Sequence, residues 1–288
     1  MTIPLGNLHN GLLVHRSGEG GPAVVFLPGA GLVGLDFLNV QELVGEFTTS
    51  VVYDRGGTGW SAAVDLPRTA EEVAGELREV LSAAAVAGPY VLVGHSIGAF
   101  YARRYAQLFP DEVAGMVLLD PGHEDILDYL PAQAAEMSER MKQSTADLPE
   151  LTNEQVEASR VALLNLYAGW PEEVLGALVE YHLAAWRTGI LEASNLETDV
   201  HQELRGGGKV PEVPTVVLSA GGQNLFWAKF GSEELVREAL AGLARMHADL
   251  AGPRGVHRVL DGASHQYLTV EQPDAVVRAV REVVERAR

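Results

Sequence analysis

Tyr90-Val91-Leu92-Val93-Gly94-His95-Ser96-Ile97-Gly98-Ala99-Phe100 reads as strand, sharp turn and helix, with a serine at the apex. Its centre, Gly94-His95-Ser96-Ile97-Gly98, is a G-x-S-x-G match. A serine on so tight a strand-to-helix turn sits in strained backbone, and flanking glycines let neighbouring chain pass close to it. The helix that follows points free N–H groups at the hydroxyl, which stabilises negative charge developing there. A five-residue pattern also arises in ordinary βα turns, so its meaning depends on what the rest of the chain brings to it.

Upstream, Asn10-Gly11 in residues 8–16 is a hairpin turn signal. Ala23-Val24-Val25-Phe26-Leu27 is a continuous apolar run, the pattern of a strand buried on both faces. It leads into Pro28-Gly29-Ala30-Gly31-Leu32-Val33-Gly34, which contains G-x-G-x-x-G. A second strand over 49–53 ends in Asp54, about 20 residues on, the layout of a dinucleotide fingerprint. Pro28 stands where the nucleotide turn would begin, and Asp54 runs on into the glycine-rich turn Arg55-Gly56-Gly57-Thr58-Gly59-Trp60-Ser61. Asp54 and Arg55 therefore read as a local structural pair.

Residues 69–87 form a helix, opened by Thr69 with Glu71 and Glu72 and stopped by Gly88-Pro89. The helix after Ser96 runs to about Phe109. Val113 to Leu119 is another buried strand, and Asp120 stands at its carboxyl end, where ligands bind in open α/β sheets. From about Glu124 to Val210 the pattern is helical throughout, and it reads as an insertion covering the sheet edge. His182 and His201 in this stretch lack metal-ligand spacing and read as surface or packing residues. Gly206-Gly207-Gly208-Lys209 has Val210 where a phosphate loop requires Ser or Thr. Strands over 213–219 and 255–260 and helices over 233–248 and after Pro273 complete an alternation that predicts a mainly parallel sheet with helices on both faces.

Four parts of an acyl-transfer site can be placed at strand ends. Ser96 is the candidate nucleophile. His265, in the small-residue loop Gly262-Ala263-Ser264-His265 after the last strand, is the candidate base. Asp120 is a candidate acid, in the order Ser…Asp…His. The backbone N–H groups of Ala30 and Ile97 are the candidate oxyanion donors.

These segments, with the loop over 26–31 and the turn over 53–61, resemble the α/β-hydrolase fold family along nearly the whole chain. The resemblance implies an eight-stranded, mostly parallel sheet with a helical cap after the sixth strand. That gives a core of residues 1–122 and 211–288 and a cap of 123–210. It implies no cofactor and no metal, and it assigns the glycine fingerprint to an oxyanion loop. Two positions depart from the family pattern. Pro28 replaces the usual His of that loop, and Gly221-Gly222-Gln223-Asn224 after the seventh strand has no carboxylate. The acid is accordingly expected at Asp120, with Glu124 and Asn224 as alternatives.

The function expected is cleavage of a carboxylic ester, thioester or lactone by a serine hydrolase. A hydrolase-like binding protein, or a non-hydrolytic enzyme reusing the pocket, is the alternative. The serine at the elbow argues against the family's dehalogenases and epoxide hydrolases, which use an aspartate there. Trp170, Tyr181, Trp186, Phe226 and Trp227 suggest an apolar pocket for a small ester-like molecule. A net charge of −18 argues against nucleic acid as a partner, and the absence of cysteine excludes disulfides and thiolate chemistry. No apolar run is long enough for a membrane span, and the N-terminus lacks a signal-peptide pattern, so a cytoplasmic protein is expected. Oligomeric state is open.

Overall fold

The computed structural model describes residues 3–133, 136, 150–222 and 232–288. Eight strands form one sheet: β1 (Asn7–His9), β2 (Leu12–Ser17), β3 (Ala23–Leu27), β4 (Ser50–Tyr53), β5 (Tyr90–His95), β6 (Val113–Leu119), β7 (Thr215–Ala220) and β8 (Val256–Leu260). Their order is β1-β2-β4-β3-β5-β6-β7-β8. The hairpin β1–β2 is antiparallel and lies against β4, also antiparallel; every pairing from β4 to β8 is parallel. Asn10 and Gly11, both at positive φ, make the hairpin turn expected of them.

Strands β3 to β7 are buried on both sides because their residues alternate between two apolar layers, whereas the edge strand β8 is half-exposed. Val25, Leu27 and Leu92 face the layer shared with helices α2 (Ala70–Ala83) and α3 (Ile97–Leu108). Val24, Phe26, Val91 and Val93 face the opposite layer, with α1 (Leu38–Gly45) and the C-terminal helix Pro273–Ala287. This is why these strands show no polar alternation in sequence.

Helix α2 begins as expected, with Thr69 Oγ1 accepting from the Glu72 N–H and the Glu72 carboxylate accepting from the Thr69 N–H. It ends at Ala83, short of the expected 87. Ala85 adopts φ +52°, and the N–H groups of Ala85 and Val86 turn back to the carbonyls of Ser82 and Leu81. That is a left-handed helix stop built on alanine, without the glycine that would advertise it.

Between β6 and β7 the described residues form helices at Ile126–Tyr129, Asn153–Leu166, Glu172–Ala184, Thr188–Ala193 and His201–Gly206, with a π-turn at Leu196–Val200 and no strand. The sheet reverses its direction of growth around β3. The chain moves outward from β3 to β4, then crosses back to lay β5 on the other side. The loops leaving β3 and β5 therefore part, and the crevice between them is where open α/β sheets bind ligands. Among the described residues, no helix is long and apolar enough to cross a membrane.

Candidate active site

Ser96 follows β5 directly and caps α3. Its backbone, φ 52° and ψ −116°, is a conformation that costs a non-glycine residue about 1–3 kcal/mol. Gly98 makes the turn possible, because a Cβ there would collide with the Leu27 carbonyl. Gly94 is hemmed in by the backbone of Gly98 and Ala99 in the same way. The Ser96 N–H donates to the Leu119 carbonyl at 3.1 Å, fastening the turn to β6.

Three sequence-predicted residues converge here. Ser96 Oγ lies 3.0 Å from His265 Nε2, and His265 Nδ1 lies 2.6 Å from Asp120 Oδ2. The carboxylate fixes the tautomer: Nδ1–H donates to Asp120, which leaves the Nε2 lone pair facing the Ser96 hydroxyl. Asp120 also sits at positive φ, 41°, and its Oδ1 accepts the Ala220 N–H at 2.9 Å. Burial alone would raise the Asp120 pKa. The hydrogen bond and charge of His265, the nearby His247 and the Ala220 N–H outweigh it and hold the carboxyl below its ordinary value.

The other two candidate acids fare differently. Glu124 engages Arg103 through both oxygens, each at 2.7 Å, and is held down to about 2; burial opposes this, but the guanidinium prevails. Asn224 lies outside the described residues, as do Phe226 and Trp227. Of the expected pocket aromatics, Trp170 and Tyr181 are buried in a cluster with Leu35, Leu38 and Trp60, whereas Trp186 lines a cavity of about 410 Å³. That cavity also takes in Ala30 and Gly31 from the loop after β3, and Gln266 and Tyr267 next to His265.

The two oxyanion candidates lie on the loop after β3 and at the start of α3. Ile97 opens α3, whose first N–H groups have no intrahelical acceptor, and Ala30 borders the cavity. The loop that carries Ala30 is held from below. Arg55 donates to the carbonyls of Pro28 (2.7 Å) and Gly29 (3.0 Å), and its Nε donates to Glu192 at 2.9 Å. Glu192 in turn accepts the Gly31 N–H at 2.7 Å. Asp54 does not pair with Arg55. It accepts the N–H groups of Gly34 and Trp60, and burial pushes it up to about 6. Asp54 and Arg55 are both structural, as expected, but each through its own partners. The acid of the apparent nucleotide fingerprint is spent on that fingerprint's own third glycine.

His95 braces the loop that carries His265. Its Nε2–H donates to the His265 carbonyl at 2.7 Å, and its Nδ1 is buried without a partner. Burial, then the proximity of His265, lowers its pKa to about 4. The unfolded chain binds the His95 proton near pH 6.5 and the folded chain only near 4, so stability is lost as pH falls through that window. The loss attributable to His95 is about 3 kcal/mol. His95→Gln, which retains a donor for the carbonyl, is expected to show a shallower fall in denaturation midpoint between pH 7 and 4 than the parent chain.

Sequence reasoning missed a second polar chain behind Asp120. His257 Nε2 donates to Ser219 Oγ (2.7 Å), Ser219 donates to His247 Nδ1 (2.6 Å), and His247 Nε2 donates to the Pro121 carbonyl (2.9 Å). It also missed Asp36 and His182. Asp36 is buried and accepts from Tyr167 (2.6 Å), the Val33 N–H (2.7 Å) and His182 Nε2 (2.8 Å). His201 is a packing residue as expected, its ring 5.2 Å from that of Phe100, but His182 belongs to the cavity wall. The only local hint was the three-residue spacing of Val33 and Asp36; the remaining partners lie more than a hundred residues away.

The fold and this crevice define a hydrolase of the α/β class. Residues 24–279 match the model of the alpha/beta hydrolase family, and the chain belongs to that family. It is 29% identical over 205 residues to the uncharacterized protein YqjL of Bacillus subtilis (strain 168), covering 66% of this chain and 81% of that one. Among solved structures, a thermophilic esterase from Thermogutta terrifontis, malate bound, superposes with TM-score 0.63 at 22% identity, over 96% of this chain and 93% of that chain. The epoxide hydrolase CorEH superposes with TM-score 0.64 at 17% identity, over 98% of each. At these identities the two structures speak for the fold. The protein is an enzyme of the hydrolase type.

Proposed function

We propose that this enzyme is a serine hydrolase that cleaves a carboxylic ester, thioester or lactone through an acyl-enzyme on Ser96. Ser96 Oγ attacks the carbonyl carbon while its proton passes to His265 Nε2. Asp120 orients the imidazole and stabilises the imidazolium. The N–H groups of Ala30 and Ile97 receive the negative oxygen. His265 then protonates the leaving group, and it activates the water that releases the acid. Neither a cofactor nor a metal enters this scheme. Residues 123–210 act as a cap over a core of 1–122 and 211–288, and this cap closes the cavity over a small-molecule substrate. A cytoplasmic location suits such a role.

What carries the reading is the unbroken chain Ser96 Oγ–His265 Nε2, His265 Nδ1–Asp120 Oδ2 at 3.0 and 2.6 Å, assembled from three strand ends. With a serine at the elbow, no carboxylate is available there for the alkyl-enzyme chemistry of an epoxide hydrolase. A fluorophosphonate is expected to label the protein once, on Ser96, and Ser96→Ala is expected to remove both labelling and turnover of activated esters. Ligand binding without labelling or turnover would instead favour a binding protein built on the hydrolase scaffold.

A further inference from the structure

The walls of the 410 Å³ cavity are largely apolar, with Leu163, Leu166, Leu183 and Trp186 among them. Set into them is one residue that can become a cation, His182, and among the described lining residues there is no carboxylate, lysine or arginine. His182 is held rigidly. Its Nε2 donates to Asp36 Oδ1 at 2.8 Å, and its ring lies parallel to that of Tyr167, with centroids 6.0 Å apart. Asp36, 2% exposed, has two further donors, the Tyr167 hydroxyl and the Val33 N–H, but its one ion-pair partner among the described residues is His182. With Nε2 committed to Asp36, Nδ1 is the polar atom the ring has left to offer the cavity. An apolar cavity needs no such residue. A buried carboxylate that orients an imidazole at a cavity wall instead builds a directed donor for an anion.

We propose that His182 binds a carboxylate carried by the substrate, remote from the scissile carbonyl; this rests on the serine-hydrolase reading of Ser96. The substrate class is thereby narrowed from apolar esters to half-esters, or equivalent acyl compounds, that retain one free carboxylate. The charge on this chain, −18 overall, opposes an anion at long range. Selection therefore falls to the short charge-assisted hydrogen bond from Nδ1–H. Burial would discharge His182, but the Asp36 carboxylate outweighs it and raises the imidazole pKa. Tyr167, Tyr181 and Tyr267 pack around the pair as phenols that are all pushed upward and stay neutral, while Asp54, raised to about 6 by burial, and His95, lowered to about 4 by burial, also lie within reach of the Asp36 charge. The Asp36 charge is thus available to hold a proton on His182. As pH rises through the raised value, Nδ1–H is lost and the carboxylate preference goes with it.

The test is a calorimetric titration of the Ser96→Ala protein, which binds without turnover. The ligands are monoethyl glutarate and its neutral isostere ethyl 5-methylhexanoate, and a second pair with the same groups on the alcohol side. In at least one pair, the carboxylate ligand is expected to bind about tenfold tighter at pH 6, the effect of one charge-assisted hydrogen bond. The gap should close as pH rises. It should vanish when His182→Gln is added, since glutamine keeps a donor for Asp36 but offers neither Nδ1 nor charge. Equal affinities within both pairs, no binding of any of the four, or a preference that survives His182→Gln overturns the proposal. Fluorophosphonate labelling of the parent chain separates the two readings. Labelling without a carboxylate preference sinks only the role of His182, and a preference without labelling sinks the role of Ser96.

Discussion

Replacing Asp120 by asparagine is expected to lower kcat by about 10⁴-fold with little change in KM. The amide can still accept the Ala220 N–H, now 2.9 Å from Oδ1, so the loop after β6 keeps its place. Its NH₂ group would then face His265 Nδ1 across what is now a 2.6 Å contact. The imidazole must answer with a lone pair at Nδ1, which moves its proton to Nε2, where Ser96 needs an acceptor. The serine loses its base by a change of tautomer and not by a change of position. Steady-state kinetics on any ester the parent chain cleaves measures the effect, and the rate of fluorophosphonate labelling should fall with it. Glu124→Gln is the control. It breaks a buried pair with Arg103, so denaturation should register a loss of about 3–5 kcal/mol, with kcat within tenfold of the parent chain. A large loss of kcat in Glu124→Gln together with an active Asp120→Asn would place the acid at the wrong residue.

That Asp120 stands out in the sequence as a candidate follows from where it sits. Parallel strands buried on both faces appear as apolar runs, and the residue after such a run stands at the carboxyl edge of the sheet. Ser96 and Asp120 occupy such positions, and His265 stands in the small-residue loop after the half-exposed edge strand β8, so strand assignment and residue chemistry were enough to single out all three as candidates. Local chemistry also made the Asn10-Gly11 hairpin and the Thr69 cap legible. Where a local signal was absent the boundary slipped, as at Ala85, whose left-handed stop ran in sequence as four more residues of helix.

Distant pairs that do not sit at strand ends left no mark in the sequence. Asp36 and His182 are 146 residues apart, and Arg55 and Glu192 are 137 apart. Nothing in the neighbourhood of either partner announces the other. His182 lies in a helix whose apolar residues explain its helicity without reference to a ligand. The same holds for Ser219, His247 and His257, each unremarkable alone, which meet only because Glu233–Ala251 packs on β7 and β8. What sequence conveys poorly is the polar scaffolding behind a site, because a buried polar group is satisfied by whichever donor the tertiary fold delivers.

Glu192 shows the energetic weight of such scaffolding. It is 3% exposed against Arg55 at 1%, and it reaches the loop after β3 from the helical segment between β6 and β7. Glu192→Ala leaves the guanidinium, seated 5.4 Å from the centroid of the Tyr101 ring, with two backbone carbonyls and without its ion-pair partner. A buried ion deprived of its partner typically costs about 3–5 kcal/mol, and the same loss is expected in urea denaturation of this variant. Because the Gly31 N–H loses its acceptor as well, the Pro28–Gly31 loop is expected to loosen, so kcat should fall even at temperatures where the variant is fully folded. The double variant Arg55→Met with Glu192→Leu separates charge from shape. It removes both ions in favour of apolar volume, so it should recover much of the stability that Glu192→Ala loses. It should not recover the rate, because the carbonyls of Pro28 and Gly29 would lose Arg55 and the N–H of Gly31 would lose Glu192, so Ala30 would no longer be held to one position. Recovery of stability together with rate would show that Arg55 and Glu192 only fill space beneath the loop, whereas stability without rate assigns them the positioning of its N–H groups.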